Sequence, residues 1–164
     1  MRGTLVLAGC AAALAVVPAS ARESLGLYEG WGAFRDPQAP RCYAIAMASA
    51  APDNRDYQPF AAVGTWPRRG VRGQVHFRLS RQVAPARPIT LSIGDRRFQL
   101  SGGGGDAWAA NPGDNAAIIA AMRSAPQMRI SARDAAGRSF GNSWLLAGAA
   151  SAMDAAAIGC ARLR

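Results

Sequence analysis

Lysine is absent from this 164-residue sequence, so all 19 of its basic residues are arginine. Histidine occurs once, as His76, which excludes a metal site built on several histidines. Charged residues make up 18% of the chain, too few for a disordered protein. The hydrophobic fraction is 50%, but alanine supplies 37 of these residues, so large core-forming side chains are scarce. The composition is that of one folded domain with a modest core.

The amino-terminal segment has the three parts of a Sec signal peptide. Arg2 precedes an uncharged apolar run over residues 4–17, and Ala19-Ser20-Ala21 provides the small residues that signal peptidase requires. We therefore expect residues 1–21 to be a cleaved signal peptide. The mature protein, over residues 22–164, is then a single periplasmic or secreted domain.

A lipobox-like sequence, LAGC at residues 7–10, offers an alternative in which Cys10 is lipidated. The apolar run continues beyond Cys10, whereas a lipoprotein signal ends its apolar run before the cysteine, so we favour cleavage after Ala21. No other stretch is long and apolar enough to cross a hydrocarbon core of about 30 Å, so no transmembrane segment is expected.

Two cysteines remain after cleavage, Cys42 and Cys160, and they lie 118 positions apart. An even number of cysteines in an oxidising compartment predicts a disulfide between them. The alternative is that Cys42 is a nucleophile with His76 as its base, but the sequence shows no third group to orient the histidine. His76 is otherwise an exposed residue on a polar strand face, with no acidic residue spaced to pair with it.

Short segments with alternating apolar residues, separated by turn residues, dominate the rest of the chain. A helix is predicted over residues 116–125, with Asp114 as its N-cap and Pro126 as its stop. A second, alanine-rich helix is predicted over residues 149–161. Residues 51–71 are expected to be irregular, and Gly102–Gly105 to be a flexible loop. About seven strands are expected, over residues 27–34, 42–50, 74–79, 89–93, 98–100, 128–133 and 139–146. The predicted fold is mainly β (α+β), an antiparallel β-sandwich or curved sheet with two short helices.

An ordered set of short motifs runs through residues 27–160. These motifs are Trp31-Gly32-Ala33-Phe34, Arg41-Cys42-Tyr43, ITLSIG at residues 89–94, Ala121-Met122-Arg123, Leu146-Ala147-Gly148, Ala152-Met153 and Cys160. In this order the chain resembles the invasion-associated locus B family of exported proteobacterial proteins. The resemblance implies a small β-rich exported domain with no established catalytic residues, in a family named for a role in host-cell entry. Many members carry a further cysteine pair in the middle of the chain, which this sequence lacks.

The arginines follow the outward parity of the predicted strands. If Val75, Phe77 and Leu79 face the core, the arginines that alternate with core residues on this strand and on the other predicted strands point outward. If those strands are neighbours in the sheet, the arginines form one basic face. Guanidinium groups bind phosphate or carboxylate through paired hydrogen bonds. The alternative is a solvated surface whose arginine content reflects GC-rich coding. The candidate anion-binding residues are Arg72, Arg78, Arg97, Arg129 and Arg133.

We therefore predict an exported, non-enzymatic envelope protein that binds an anionic surface or a protein partner. No cofactor and no nucleic acid are expected, because the sequence has no phosphate-binding loop and an exported protein seldom meets nucleic acid. One alternative is a small periplasmic hydrolase with an acidic site, and another is a structural or chaperone-like module. A flat basic face favours the first interpretation, and a deep pocket with converging carboxylates favours the hydrolase.

Overall fold

A computed structural model describes residues 22–161. Within this range the chain forms nine strands, two α-helices and one 3-10 turn. The elements are β1 (Glu23–Tyr28), β2 (Trp31–Asp36), β3 (Arg41–Met47), β4 (Phe60–Trp66), the 3-10 turn (Pro67–Arg69), β5 (Val71–Val83), β6 (Ile89–Ile93), β7 (Arg96–Ala109), α1 (Pro112–Met122), β8 (Gln127–Arg133), β9 (Ser139–Leu145) and α2 (Ala149–Ala161). The predicted signal peptide, its cleavage site and Cys10 lie outside the described residues.

The strands form one sheet in the order β1-β2-β3-β4-β5-β7-β6-β8-β9, with every neighbouring pair antiparallel. The prediction of a mainly β, antiparallel fold with two helices is confirmed, but the described chain has nine strands where about seven were expected. The segment predicted as one strand over residues 27–34 turns at Glu29, whose φ is 52°, and forms the β1–β2 hairpin. The segment predicted to be irregular contains β4, because Pro59 and Pro67 flank this strand and do not interrupt it.

The glycine run Gly102–Gly105 is part of β7 and not the flexible loop that was predicted. The first part of β7, up to Leu100, pairs with β6, and the part from Gly104 onward pairs with β5. Gly104 has a φ of 58°, which a residue with a side chain rarely adopts. The glycines therefore form the bend at which β7 changes its partner strand.

The sheet curves until β5 and β9, which have three other strands between them in the sheet order, touch each other. The backbone N–H of Ser80 donates to Oδ1 of Asn142 at 3.0 Å, and Nδ2 of Asn142 donates to the Ser80 hydroxyl at 2.8 Å. Both residues are buried, so their polar groups satisfy one another. The indole N–H of Trp31 donates to the carbonyl of Leu145 at 2.9 Å and ties β2 to the end of β9.

Both helices pack on the side of the sheet that carries the buried residues. α1 begins one turn earlier than predicted: Asn111 is the N-cap and accepts a hydrogen bond from the backbone N–H of Asp114 at 2.9 Å. The expectation that Asp114 is the cap is therefore wrong. α2 lies over β1 to β4. Among residues 22–161, neither helix is long and apolar enough to cross a membrane.

The contact between α2 and β3 is built from small side chains. Ala44 and Ala46 of β3 are buried beneath α2, which contributes Ala149, Ala152 and Ala156. Small residues on both sides let the helix approach the sheet closely. Because strand residues alternate between faces, the bulky residues of β3 then lie on the opposite, outer face of the sheet.

Candidate functional sites on the outer face of the sheet

The two cysteines that the sequence predicts to be paired form a disulfide. Cys42 of β3 is bonded to Cys160 near the end of α2, with the Cα atoms 5.6 Å apart. Cys42 is fully buried and Cys160 nearly so. The disulfide anchors α2 to the sheet, and it leaves no Cys42 thiol to act as the nucleophile of the alternative interpretation.

The outer face of the sheet divides into two chemically different regions. Along β6, β8, β9 and the first part of β7, the outward residues are hydroxylic, amide or basic, apart from Gly141 and the exposed Leu145 on β9. Along β2 to β4 they are largely aromatic or aliphatic, and along β5 and the last part of β7 they are aromatic, amide or charged. A solvated antiparallel sheet normally carries polar residues outward, so the second region departs from the usual pattern. Its outward residues include Phe34, Tyr43, Ile45, Met47, Phe60, His76 and Trp108.

The basic region brings three of the five predicted arginines onto one surface. Strand register places Arg97 opposite Ser92, Ser92 opposite Arg129, and Arg129 opposite Ser143, so these outward residues form one row across four strands. Arg133 lies four residues further along β8, opposite Ser139. The parity argument from the sequence therefore holds for this part of the sheet.

A groove of about 520 Å³ crosses the basic region, and we call it the arginine groove. Its charged residues are Arg87, Arg129 and Arg133, and Thr90, Ser131 and Ser139 supply hydroxyl groups. The remaining lining residues are Pro88, Ala132, Phe140 and Gly141. Arg87 comes from the turn before β6 and was not among the predicted arginines, because strand parity does not apply to turns.

The groove arginines contact neutral partners. Nη1 of Arg129 donates to the Ser143 hydroxyl at 3.2 Å, and Nη1 of Arg133 donates to the carbonyl of Gly137 at 2.9 Å. Within residues 22–161, no carboxylate forms a salt bridge with Arg87 or with any arginine of the row. The groove therefore keeps its positive charge.

The other two predicted arginines lie elsewhere. Arg78 lies on β5, where it forms a salt bridge with Asp106 in the last part of β7. Arg97 lies in the first part of β7, on the other side of the bend. Arg72, near the start of β5, lines a cavity of about 640 Å³ beside Arg68 and the last residues of α2. The five arginines thus belong to three separate surfaces, since the bend in β7 separates β5 from the basic region.

Arg78 belongs to a compact group on the aromatic region, which we call the His76 cluster. Nε2 of His76 donates to Oδ1 of Asp106 at 2.8 Å, and Nη1 of Arg78 donates to the other carboxylate oxygen. The imidazole stacks on Trp108 with ring centroids 5.1 Å apart and meets the edge of Phe60 at 5.3 Å. The Arg78 guanidinium lies 4.2 Å above the Tyr57 ring.

The expectation that His76 has no acidic partner is wrong. Register places Trp108 opposite His76 and Asp106 opposite Arg78, so the carboxylate comes from a residue 30 positions away. Asp106 and Trp108 are two positions apart, so the alternation of strand residues places them on one face. This signal was not used, because the preceding glycines indicated a loop. The side chain of His76 is 29% exposed, so it lies at the surface but within a structured group.

The remaining paired carboxylates serve the fold. Asp134 is buried in the β8–β9 turn, where it accepts hydrogen bonds from the backbone N–H and Nε of Arg138 at 2.8 and 2.9 Å. Burial raises the pKa of Asp134, but the hydrogen bonds and charge of Arg138 outweigh it and hold the pKa below its usual value. At the surface, a hydrogen bond from Arg123 lowers the pKa of Asp154. Within residues 22–161, no three His, Cys, Asp or Glu side chains are grouped to bind a metal ion.

Comparison with known proteins identifies no relative. No family model, no curated protein and no solved structure matches the chain. The arginine groove and the His76 cluster therefore carry the functional assignment.

Proposed function

We propose that this chain is an exported, non-enzymatic envelope protein of the invasion-associated locus B type. In this proposal the arginine groove binds phosphate groups on an anionic envelope surface. The observation that carries it is the groove itself, where Arg87, Arg129 and Arg133 line one open site and form no salt bridge within residues 22–161.

Two features support export. The sequence of residues 1–21 has the parts of a Sec signal peptide, and the Cys42–Cys160 disulfide is typical of proteins that mature in an oxidising compartment. The test is the intact mass of the exported protein, which we expect to begin at Arg22. A lipidated species beginning at Cys10, or an uncut chain, would contradict the proposed processing.

The chemistry of the groove suits a phosphate group more than an isolated metal or apolar ligand. Each guanidinium offers several N–H donors in a planar fork, and the hydroxyls of Thr90, Ser131 and Ser139 can donate to the remaining phosphate oxygens. Hydrogen bonds between charged partners contribute about 1.5–3 kcal/mol each, more than neutral ones. Because the groove is open to solvent, the attraction is screened over about 8 Å at physiological ionic strength.

The binding test uses vesicles with and without lipopolysaccharide, over a salt series. The groove variant carries Arg87→Gln, Arg129→Gln and Arg133→Gln. The matched control carries Arg68→Gln, Arg69→Gln and Arg72→Gln, which removes the same charge from another exposed surface. We expect the wild type to bind lipopolysaccharide vesicles less tightly as salt rises, the groove variant to bind about tenfold or more weakly, and the control to change less than about twofold.

Three outcomes would contradict this proposal. Equal loss in the two variants would show that net charge alone attracts the protein. Binding that ignores salt, or that is equal on phosphatidylcholine vesicles, would exclude phosphate recognition. Retention of an acidic protein but not of lipopolysaccharide would assign the groove to a protein partner.

The His76 cluster gives one observation in favour of the hydrolase alternative. A carboxylate that orients a histidine is two thirds of a hydrolytic triad. In the described residues, however, no hydroxyl or thiol hydrogen-bonds the His76 ring, and Asp106 is shared with Arg78. The candidate reaction would have to use water activated by His76. Hydrolysis of nitrophenyl esters or phosphates by the wild type, abolished by His76→Gln, would establish it.

A further inference from the structure

We propose that the His76 cluster is a second binding site, independent of the arginine groove, and that it takes an uncharged glycan. A pyranose ring would stack on the exposed part of the Trp108 indole while its hydroxyls meet Asp106 and Arg78. The proposal rests on three properties of the cluster: an accessible aromatic face, neutral charge and spare hydrogen-bonding capacity.

Trp108 is a partly exposed aromatic platform. It is 38% exposed, and it stacks on the His76 ring with an interplanar angle of 13°. Among residues 22–161, no strand pairs with β7 beside Trp108 on the side away from β5, because β6 pairs with β7 only over Arg96–Leu100. An exposed large aromatic ring is costly to keep in water, and a flat apolar ligand surface would cover it.

The charges of the cluster cancel locally. Asp106 lies between Arg78 and His76 and accepts a hydrogen bond from each. An anionic ligand would be repelled by the carboxylate, and a cationic ligand by the guanidinium. The cluster therefore favours an uncharged ligand, in contrast to the arginine groove, where no carboxylate of the described residues pairs with an arginine.

The polar groups retain unused hydrogen-bonding capacity. A carboxylate accepts about four hydrogen bonds, and Asp106 uses two within the cluster. Arg78 has five N–H donors and uses one on Asp106. Their side chains are 30% and 31% exposed. Sugar hydroxyls both donate and accept hydrogen bonds, so they can donate to the carboxylate and accept from the neighbouring guanidinium.

The cluster is also held in place before any ligand arrives. Tyr57 packs beneath the Arg78 guanidinium and lies directly against Gly105, where any Cβ would collide with the tyrosine ring. Phe60 holds the His76 ring from the other side. A preorganised site loses little conformational entropy on binding.

The test measures binding of chitohexaose, an uncharged β-1,4-linked hexasaccharide of N-acetylglucosamine, and of maltohexaose, by calorimetry. The two site variants are Trp108→Ala and Asp106→Asn. Trp66→Ala is the matched control, because Trp66 is also an outward tryptophan but lies over Gly64 and away from the cluster contacts. We expect saturable binding of at least one hexasaccharide, weakened about tenfold by Trp108→Ala and about fivefold by Asp106→Asn, and unchanged in the control.

Each alternative result would overturn the assignment. Absence of binding of either hexasaccharide by the wild type up to about 10 mM, a concentration that would nearly saturate a site with a dissociation constant of about 1 mM, would contradict a glycan site. Equal loss in Trp66→Ala would place the ligand elsewhere on the aromatic region. Loss in the triple groove variant would place the glycan in the arginine groove. Self-association that Trp108→Ala abolishes, without glycan binding, would assign this surface to a protein contact.

Discussion

Removing the Cys42–Cys160 disulfide tests how the fold holds its last helix. The perturbation is the double variant Cys42→Ala and Cys160→Ala, which leaves no unpaired thiol in residues 22–164. The bond closes a loop of 118 residues between β3 and α2. In the chain-entropy model, a loop of this length restricts the unfolded chain by about 16 cal/mol/K, or about 5 kcal/mol at 25 °C.

The expected loss of unfolding free energy is about 3–5 kcal/mol, since strain and residual structure reduce the ideal value. For a domain of this size, this corresponds to a melting temperature lower by roughly 10–17 °C. The loss should begin at α2. Its buried residues other than Cys160 are mostly alanine, with Met153 the largest, so little apolar area holds the helix once the bond is gone.

Two measurements check this reasoning. Urea unfolding gives the change in free energy, and amide hydrogen exchange shows where the protein opens first. We expect exchange in Ala149–Ala161 to accelerate more than exchange in β6 or β8. A variant within about 1 kcal/mol of the wild type, or exchange that accelerates uniformly, would refute the view that the disulfide anchors α2.

Two further predictions concern polar side chains that hydrogen-bond to the backbone. The pKa of Asp134 is lowered in the folded protein, so its stabilising effect is fully present above pH about 4, the unfolded value, and is lost as pH falls through the folded pKa. Between pH 5 and pH 2, the free energy of unfolding of Asp134→Asn should therefore fall less than that of the wild type, as measured by urea titrations at each pH. An equal fall in the two proteins would show that Arg138 does not stabilise this carboxylate. Asn115 accepts from the backbone N–H of Val75 at 2.9 Å and donates to the Gly73 carbonyl at 2.6 Å. Asn115→Ala should cost about 2–4 kcal/mol in urea unfolding, and a loss below about 0.5 kcal/mol would show that water replaces both bonds.

Elements with local patterns could be predicted from the sequence. β6 and β8 alternate strictly between buried and outward residues, and both helices follow from composition, although α1 is capped by Asn111 and not by Asp114. The β1–β2 hairpin could not be predicted, because Glu29 adopts a positive φ that nothing in its residue type favours. The strand predicted over residues 98–100 is shorter than β7, because the run Gly102–Gly105 is typical of a loop. In the structure these glycines allow the sheet to bend.

Of the two candidate sites, the basic region could be predicted from the sequence and the His76 cluster could not. Parity alone places Arg129 and Arg133 on one face of β8, so the basic region follows from a local rule. The pairing of His76 with Asp106 depends on the register between β5 and β7, which the bend of β7 sets. Such a contact is a tertiary property, and no spacing in the sequence encodes it.

The scarcity of large apolar residues bears directly on both sites. Alanine lines the contact between β3 and α2, so that part of the core is filled by close approach and by a disulfide and not by bulky side chains. Trp31 and Phe77 are the buried aromatic residues of this half of the sheet, and several others occupy its outer face, where Trp108 and Phe60 enclose His76. On the other half, large aliphatic residues such as Leu91 and Ile130 fill the core, and the outer face is free to carry arginine. One curved sheet thus presents an aromatic surface with locally paired charges and a basic surface whose arginines form no salt bridge with the described carboxylates, and the two are suited to different ligands.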